Sequence, residues 1–255
     1  MAAYTVTEMM ICAAARILED GATVAVGTGV PCAAAMLAQK THAPNLVILF
    51  EAGGVSPILP EMPISVGDSR TIFKAAMASG MAEVMETCQR GMVDYCFLGG
   101  AQIDMFGNLN STIIGPYEKP TVRLPGSGGA NDFASFAWRT MVITPQDKRR
   151  FTNTMDFVTS PGFLKGGRSR EEAGLPRGTG PYRVITNMAI MDFEPESRRM
   201  RVVSLHPGVT FDDVQASCGF ELLRAGSLDV TPSPDAPTLG ILRDEVDKYR
   251  YVIGK

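Results

Sequence analysis

Three segments of this chain combine residue types that chemistry can use. The first is Phe50-Glu51-Ala52-Gly53-Gly54, which follows the apolar run Leu46-Val47-Ile48-Leu49. A carboxylate directly after a buried strand lies at the sheet edge, where desolvation makes it more basic and more nucleophilic. The glycines behind it lack Cβ atoms and would let a ligand approach the backbone closely. The same pattern fits a strand-end glutamate that caps the next element or faces water, and pattern alone leaves both readings open.

The second segment is Gly126-Ser127-Gly128-Gly129-Ala130-Asn131. Successive glycines can gather backbone N–H groups into an anion nest or oxyanion hole. No Lys-Ser/Thr follows, so this is not a Walker motif, and the G-x-G-x-x-G spacing is absent. An ordinary loop would also satisfy the composition. The third runs from Gly99-Gly100-Ala101-Gln102-Ile103-Asp104 to Gly107-Asn108-Leu109-Asn110-Ser111-Thr112. Its amides and hydroxyls suit a large polar cofactor, and Gly107-Asn108 is also a hairpin turn signal.

Other reactive types are scarce. The two histidines, His42 and His206, and five cysteines without a CxxC pair supply no zinc site or His-dependent triad. His206, before Pro207-Gly208, reads as a structural turn residue. Apolar-flanked single cysteines read as small core residues in a reducing cytoplasm. The methionines read as core filling.

The elements that must hold these segments alternate between helix and buried strand, the signal of a parallel α/β sheet. Thr5-Val6-Thr7-Glu8 has capping-box spacing, with a helix continuing from Met9 to Leu18. Residues 22–26 and 46–50 read as strands, and Cys32 to Lys40 as a helix. Thr71 to Arg90 reads as one Met/Ala-rich helix, followed by a strand over 94–98. Ala134 to Trp138 reads as helical and 140–144 as a strand. The Gly/Pro/Arg-rich stretch 160–181 reads as a surface excursion. Strands over 182–186, 188–193 and 199–205 then precede helices over 212–218 and 237–249. No repeat or linker interrupts the chain, so residues 1–255 read as a single domain. Open α/β sheets bind ligands at the carboxyl ends of their strands. Gly27-Thr28-Gly29, Glu51-Ala52-Gly53-Gly54 and Gly99-Gly100-Ala101-Gln102 all follow strands in this way.

Bulk properties exclude some partners. A net charge of -3 with scattered basic residues argues against nucleic acid. No segment approaches the roughly 20 apolar residues that span a bilayer, and the N-terminus lacks the form of a secretion signal. A soluble, cytoplasmic protein is expected.

Taken in order, Val26-Gly27-Thr28-Gly29, Glu51-Ala52-Gly53, Ser65-Val66-Gly67-Asp68, the 99–108 segment, Gly126 to Asn131, Arg149-Arg150-Phe151 and Asp156 to Gly162 resemble the β subunits of the family I CoA-transferases, closest to the glutaconate type. The resemblance covers nearly the whole chain and weakens after about Val209. It implies a three-layer α/β fold, with an open, mainly parallel sheet and helices on both faces, and a homologous α subunit as partner. It implies acyl-CoA and carboxylate substrates, with coenzyme A as part of the substrate and no permanently bound cofactor or metal. Glu51 is then the nucleophile of a ping-pong exchange through a mixed anhydride and a glutamyl-CoA thioester. Gly126, Gly128, Gly129 and Ala130 correspond to the oxyanion hole. Candidate CoA-binding positions are Gly27, Gly29, Gly53, Gly99, Gly100, Gln102, Asn108 and Asn131. One departure stands out: the family's common Ser-Glu-Asn-Gly is here Phe-Glu-Ala-Gly. Retention of Glu51 favours transfer, while hydrolysis, decarboxylation or ring opening of CoA esters stays open. So does a non-catalytic assembly subunit.

Overall fold

The structure, a computed structural model, describes residues 3–254. Met1, Ala2 and Lys255, the outermost residues of the expected 1–255 domain, lie outside the described residues. The chain forms two compact units. One runs up to Phe97 and resumes at Pro232, and the other is Leu98–Thr231.

The first unit opens with helix α1 (Val6–Ala15), started by a complete capping box between Thr5 and Glu8. Every residue from Glu8 to Ala15 is buried, so the helix is wrapped on all sides and its charge needs a partner. Glu8 finds one in Arg243 of the C-terminal helical segment, which holds its carboxyl below the usual glutamate range. Helix α2 (Val30–Lys40) is buried from Cys32 to Ala38, and its run of alanines lets other elements approach closely.

Strand β1 (Thr23–Ala25) pairs in parallel with β2 (Val47–Leu49), in the register Thr23↔Val47 to Ala25↔Leu49. From β2 the chain doubles back as β3 (Gly54–Val55), antiparallel to it, and then β4 (Met77–Ala78), antiparallel to β3. Helix α3 (Met81–Gln89) follows, and β5 (Tyr95–Leu98) joins the other side of β1 in parallel, with Ala25 opposite Cys96. The single helix expected over residues 71–90 is therefore not formed. Only Met81–Gln89 is α-helical, while Ser69–Ile72 is a 3₁₀ turn and Met77–Ala78 a strand. Composition favoured helix, but pairing with β3 satisfies the backbone of residues 77–78, and Gly80 ends the strand as the α3 N-cap.

In the second unit two short hairpins come first, β6 (Gln102–Ile103) with β7 (Leu109–Asn110) and β8 (Ile113–Ile114) with β9 (Val122–Arg123). Helix α4 (Ala130–Phe136) leads into β10 (Arg139–Ile143), after which the 160–181 excursion holds one short helix, α5 (Ser169–Glu172). Strands β11 (Pro181–Ile185), β12 (Ala189–Phe193) and β13 (Met200–Leu205) match the expected run, β10–β11 parallel and the next two pairs antiparallel. Helix α6 (Phe211–Ala216) then precedes β14 (Leu223–Val230), parallel to β13. Sequence reading missed β14, because its residues are mostly exposed and carry no apolar alternation. The fold is α/β as expected, with a mixed sheet that is parallel at β5-β1-β2 and gains antiparallel strands beyond it.

The excursion is ordered by a buried arginine. Arg170 is 3% exposed and donates to the carbonyls of Pro161, Gly162, Ala134 and Ser135 and to Thr179 Oγ1, at 2.7–3.0 Å. Two of those carbonyls belong to the last turn of α4, a natural place for a cation. His206 is likewise structural. Its Nε2 lies 2.9 Å from the Thr186 carbonyl and so carries the proton, while Nδ1 meets Thr231 Oγ1 at 3.0 Å. Burial lowers its pKa from the ordinary 6.5, so the folded protein holds the ring neutral. An unfolded chain takes up that proton more readily, and stability is therefore lost as the pH falls below 6.5. The melting temperature is expected to drop from about pH 7.5 to about pH 5.5, and a His206→Gln variant to lose part of that dependence. Calorimetry across that range checks this.

Candidate active site

The parallel register of β1 and β2 decides what stands at their carboxyl edge. With Ala25 opposite Leu49, the Gly27-Thr28-Gly29 turn after β1 and Glu51 after β2 leave the same edge of the sheet on neighbouring strands. Neighbouring strands lie about 4.8 Å apart. Strand β5 runs in the same direction on the other side of β1. Gly29, at φ +77°, is the N-cap of α2, and Pro31 stands in the first turn of that helix. A Cβ placed on Gly27 or Gly29 would meet no atom within 4 Å, so the backbone there is open to close approach.

Glu51 sits at the corner of a tight turn rather than simply at a strand end. The Gly53 N–H donates to the Phe50 carbonyl at 3.0 Å, and the Phe50 N–H to the Gly54 carbonyl at 2.9 Å. Glu51 and Ala52 are thus the two central residues of a β-turn between β2 and β3. Phe50 is fully buried beneath it and Glu51 is half-buried. This arrangement anchors the backbone on both sides of Glu51.

The glycines after Glu51 are required by the protein's own packing. A Cβ on Gly53 would lie 1.9 Å from the Ser79 carbonyl oxygen, and one on Gly54 1.9 Å from that of Thr71. Gly53 also has φ +121°, a region hostile to other residues. The protein's own backbone fills the space that sequence reading reserved for coenzyme A. Thr71 in turn is tied to the Ser65-Val66-Gly67-Asp68 segment, its N–H and hydroxyl both donating to the Asp68 carbonyl, at 2.9 and 2.7 Å. There Asp68 accepts from the N–H groups of Ile64 and Arg70, and Arg70 bridges Asp68 and Glu61. The Arg70 guanidinium holds the Asp68 carboxyl well below the usual carboxylate range.

In the second unit, three motif segments distant in sequence lock together. Residues Thr159 and Ser160 pair with Leu109 (Thr159 N to Leu109 O, 2.8 Å; Leu109 N to Ser160 O, 3.0 Å). Thr159 Oγ1 accepts from the Ser111 N–H at 2.8 Å and lies 2.7 Å from Thr112 Oγ1. Ser111 closes on the glycine loop. Its carbonyl accepts from Gly126 N at 2.8 Å, and its hydroxyl donates to Gly126 O at 2.8 Å. At the far end of the loop Asn131 Nδ2 donates to the Thr159 carbonyl at 2.9 Å. The Arg149-Arg150-Phe151 segment runs beside β6, and Arg150 donates to the Gly100 carbonyl at 2.7 Å.

Several predicted binding side chains are spent in this lattice. Asn108 is 2% exposed; its Nδ2 donates to Asp104 and to the Leu164 carbonyl, and its Oδ1 accepts from Gly162 and Leu164. All its hydrogen-bonding positions are filled. Gln102 donates to Asp156 at 2.7 Å and accepts from Asn110 at 2.6 Å. Gly107 does turn the β6–β7 hairpin, at φ +73°. Burial raises the Asp104 carboxyl pKa inside that turn. Gly100 is closely packed, since a Cβ there would stand 3.0 Å from the Asn110 carbonyl oxygen, whereas Gly99 is open.

Within the glycine loop the donors are unequal. The Gly126 N–H is used by Ser111, and the Ala130 N–H by the Ser127 carbonyl at 2.9 Å. Gly128 is exposed at φ +48° and is followed by Gly129 at φ -79°, ψ 1°. Such a change of sign is the backbone form in which successive N–H groups can turn toward one anion. Ser79 and Arg170 are contributors that sequence reading missed, since an isolated hydroxyl and a loop arginine carry no periodic signal; Ser111 and Thr159 lie in segments it singled out. Among the described residues no group of three or more His, Cys, Asp or Glu could hold a metal ion.

Gly53→Ala is expected to disrupt the turn, lowering the melting temperature by several degrees, because both the 1.9 Å overlap and the backbone angle must be relieved. Gly27→Ala, in open space, is expected to leave it nearly unchanged. Thermal melts of the two variants check the contrast.

Comparison with known proteins identifies the family. A family model described as Coenzyme A transferase matches residues 7–217. The chain is 41% identical over 244 residues to the B subunit of 3-oxoadipate CoA-transferase from Pseudomonas knackmussii, covering 95% of this chain and 94% of the relative. It is 36% identical over 250 residues to the B subunit of glutaconate CoA-transferase from Acidaminococcus fermentans, covering 96% and 93%. The crystal structure of glutaconate coenzyme A-transferase from Acidaminococcus fermentans superposes with a TM-score of 0.92 at 34% identity, covering 99% of this chain and 98% of that one. The ordered motifs, the α/β fold and these relatives agree: the chain belongs to the coenzyme A transferase family, as a B subunit of the family I type.

Proposed function

We propose that this chain is the B subunit of a CoA-transferase that moves coenzyme A between an acyl-CoA and a carboxylic acid, with Glu51 as nucleophile. The observation that carries the reading is the Glu51 turn itself. It is a carboxylate at the corner of a backbone-locked turn, on the carboxyl edge of a parallel sheet, beside the open Gly27–Gly29 backbone. A site at that edge is where α/β sheets bind ligands.

A Glu51 carboxylate oxygen attacks the thioester carbonyl carbon; the C–S bond breaks and the CoA thiolate leaves, giving a mixed anhydride. The thiolate then attacks the Glu51 acyl carbon. The C–O bond to that carbon breaks, the first acid departs as carboxylate, and Glu51 remains as a CoA thioester. A second carboxylate reverses both steps and leaves as the new acyl-CoA. Each exchange is between acyl derivatives of similar energy, so no ATP is consumed, and coenzyme A enters only as part of the substrate. Each tetrahedral intermediate carries an oxyanion. Within the glycine loop of the second unit, the N–H groups of Gly126 and Ala130 are already spent on the carbonyls of Ser111 and Ser127. Loss of one oxyanion-hole donor costs about 2.7–4 kcal/mol in other enzymes.

The relatives named for 3-oxoadipate and glutaconate both handle short dicarboxylic acids, and we propose a dicarboxylic acid here. Their designation as subunits supports a homologous A subunit as partner. Open backbone at Gly27, Gly29 and Gly99 suits contact with coenzyme A, while Gln102, Asn108 and Asn131 act by holding the second unit's loops in place. On this reading the two compact units work as one functional domain, and five buried free thiols suit a reducing cytoplasm.

Glu51→Gln in the heteromer co-purified with its A subunit is expected to abolish transfer, by about 10³-fold or more, because the amide keeps the size but not the nucleophilicity. Incubating the wild-type heteromer with acyl-CoA and then hydroxylamine should yield a hydroxamate at Glu51 by mass spectrometry. Normal turnover by the glutamine variant would move the nucleophile elsewhere. Steady thiol release without any acceptor acid would indicate a hydrolase.

A further inference from the structure

We infer that Ser79 is the positioning residue of the Glu51 turn, acting through its hydroxyl on the Gly53 carbonyl. The inference deepens the reading of Glu51 as nucleophile and rests on it. The turn's internal bonds, Gly53 N to Phe50 O and Phe50 N to Gly54 O, close it but leave the Gly53 carbonyl for an outside partner. That carbonyl accepts twice from one residue: from Ser79 N at 3.0 Å and from Ser79 Oγ at 3.1 Å. Both lone pairs of the oxygen are then used.

The contact is close on its other face as well. The Ser79 carbonyl occupies the space where a Gly53 Cβ would stand, 1.9 Å from that position. Gly53 is the one residue of the turn whose backbone, at φ +121°, can swing without steric penalty. Two donors from Ser79 fix the peptide that glycine would otherwise leave loose, two residues from Glu51. Ser79 itself is held firmly. Ala78 on one side pairs with Gly54, and Gly80 on the other caps α3, with its N–H held by Glu83 at 2.9 Å. Residue 79 therefore transmits the position of β4 and α3 to the nucleophile's turn.

This matters for the proposed chemistry because Glu51 must meet two partners in succession, the thioester carbon and then the returning thiolate. A displacement of about 1 Å can cost about 100-fold in rate. The backbone N–H of Ser79 survives any substitution there, so the hydroxyl's share can be isolated.

The test uses the heteromer with its A subunit and compares Ser79→Ala, Ser79→Thr and Glu51→Gln with the wild type. The readouts are the single-turnover rate of Glu51 thioester formation, the affinity for a non-reactive acyl-CoA thioether, and the melting temperature. Ser79→Ala is expected to slow thioester formation about tenfold while thioether affinity stays within about twofold, and Ser79→Thr, which keeps the hydroxyl, to restore the rate. If the alanine variant fails to assemble, Ser79→Cys, of similar size but a poorer donor, carries the same comparison and is expected to be slow. A wild-type rate in Ser79→Ala beside an inactive Glu51→Gln overturns the role of Ser79 alone. So does a folded Ser79→Thr that stays as slow as alanine. An active Glu51→Gln overturns the nucleophile reading, and this inference falls with it.

Discussion

The contact on which the first unit's site depends is backbone on backbone: Gly53 lies against the carbonyl of Ser79 with no room for a Cβ between them. It forces glycine at position 53, permits the φ of +121° that reverses the chain, and lets β3 return antiparallel to β2. Half-buried Glu51 and exposed Ala52 are then left at the corner of the turn. Phe50 beneath it, where the wider family commonly has serine, adds a fully buried aromatic anchor.

A parallel logic holds the glycine loop of the second unit. Its ends are tied by Ser111 at Gly126 and by Asn131 at the Thr159 carbonyl, and Arg170 secures the carbonyls at the far end of α4. The loop can keep glycine's conformations because other residues supply the rigidity that glycine lacks. Both segments therefore share one design, in which glycine-rich backbone is braced by hydrogen bonds from polar groups outside it. Such bracing keeps reacting groups close to a productive geometry without burying them.

Much of this was legible from residue types. The Thr5–Glu8 capping box, the parallel strands around Val24 and Ile48, the Gly107 hairpin and the edge position of Glu51 all follow from local rules of capping, burial and turn chemistry. The missed pieces share one cause. Residues 71–78 have helical composition, yet pairing across to β3 overrides it; β14 has strand pairing without strand pattern. Gln102, Asn108 and Asn131 look like ligand-binding amides, and nothing local reveals that their partners are Asp156, Leu164 and Thr159, some 28 to 56 residues away.

By itself the sequence determined the class of the fold and the family, because the first follows from hydrophobic period and the second from ordered motifs, and it supplied Glu51 as the proposed nucleophile. Only the tertiary structure decided what each glycine and amide is for. Gly27, Gly29 and Gly99 face open space, while Gly53 and Gly54 are filled by the carbonyls of Ser79 and Thr71. The physical reason is that a missing Cβ, or an amide's four hydrogen-bonding positions, has meaning only through what occupies the space beside it. Those occupants come from segments that the chain brings together only on folding.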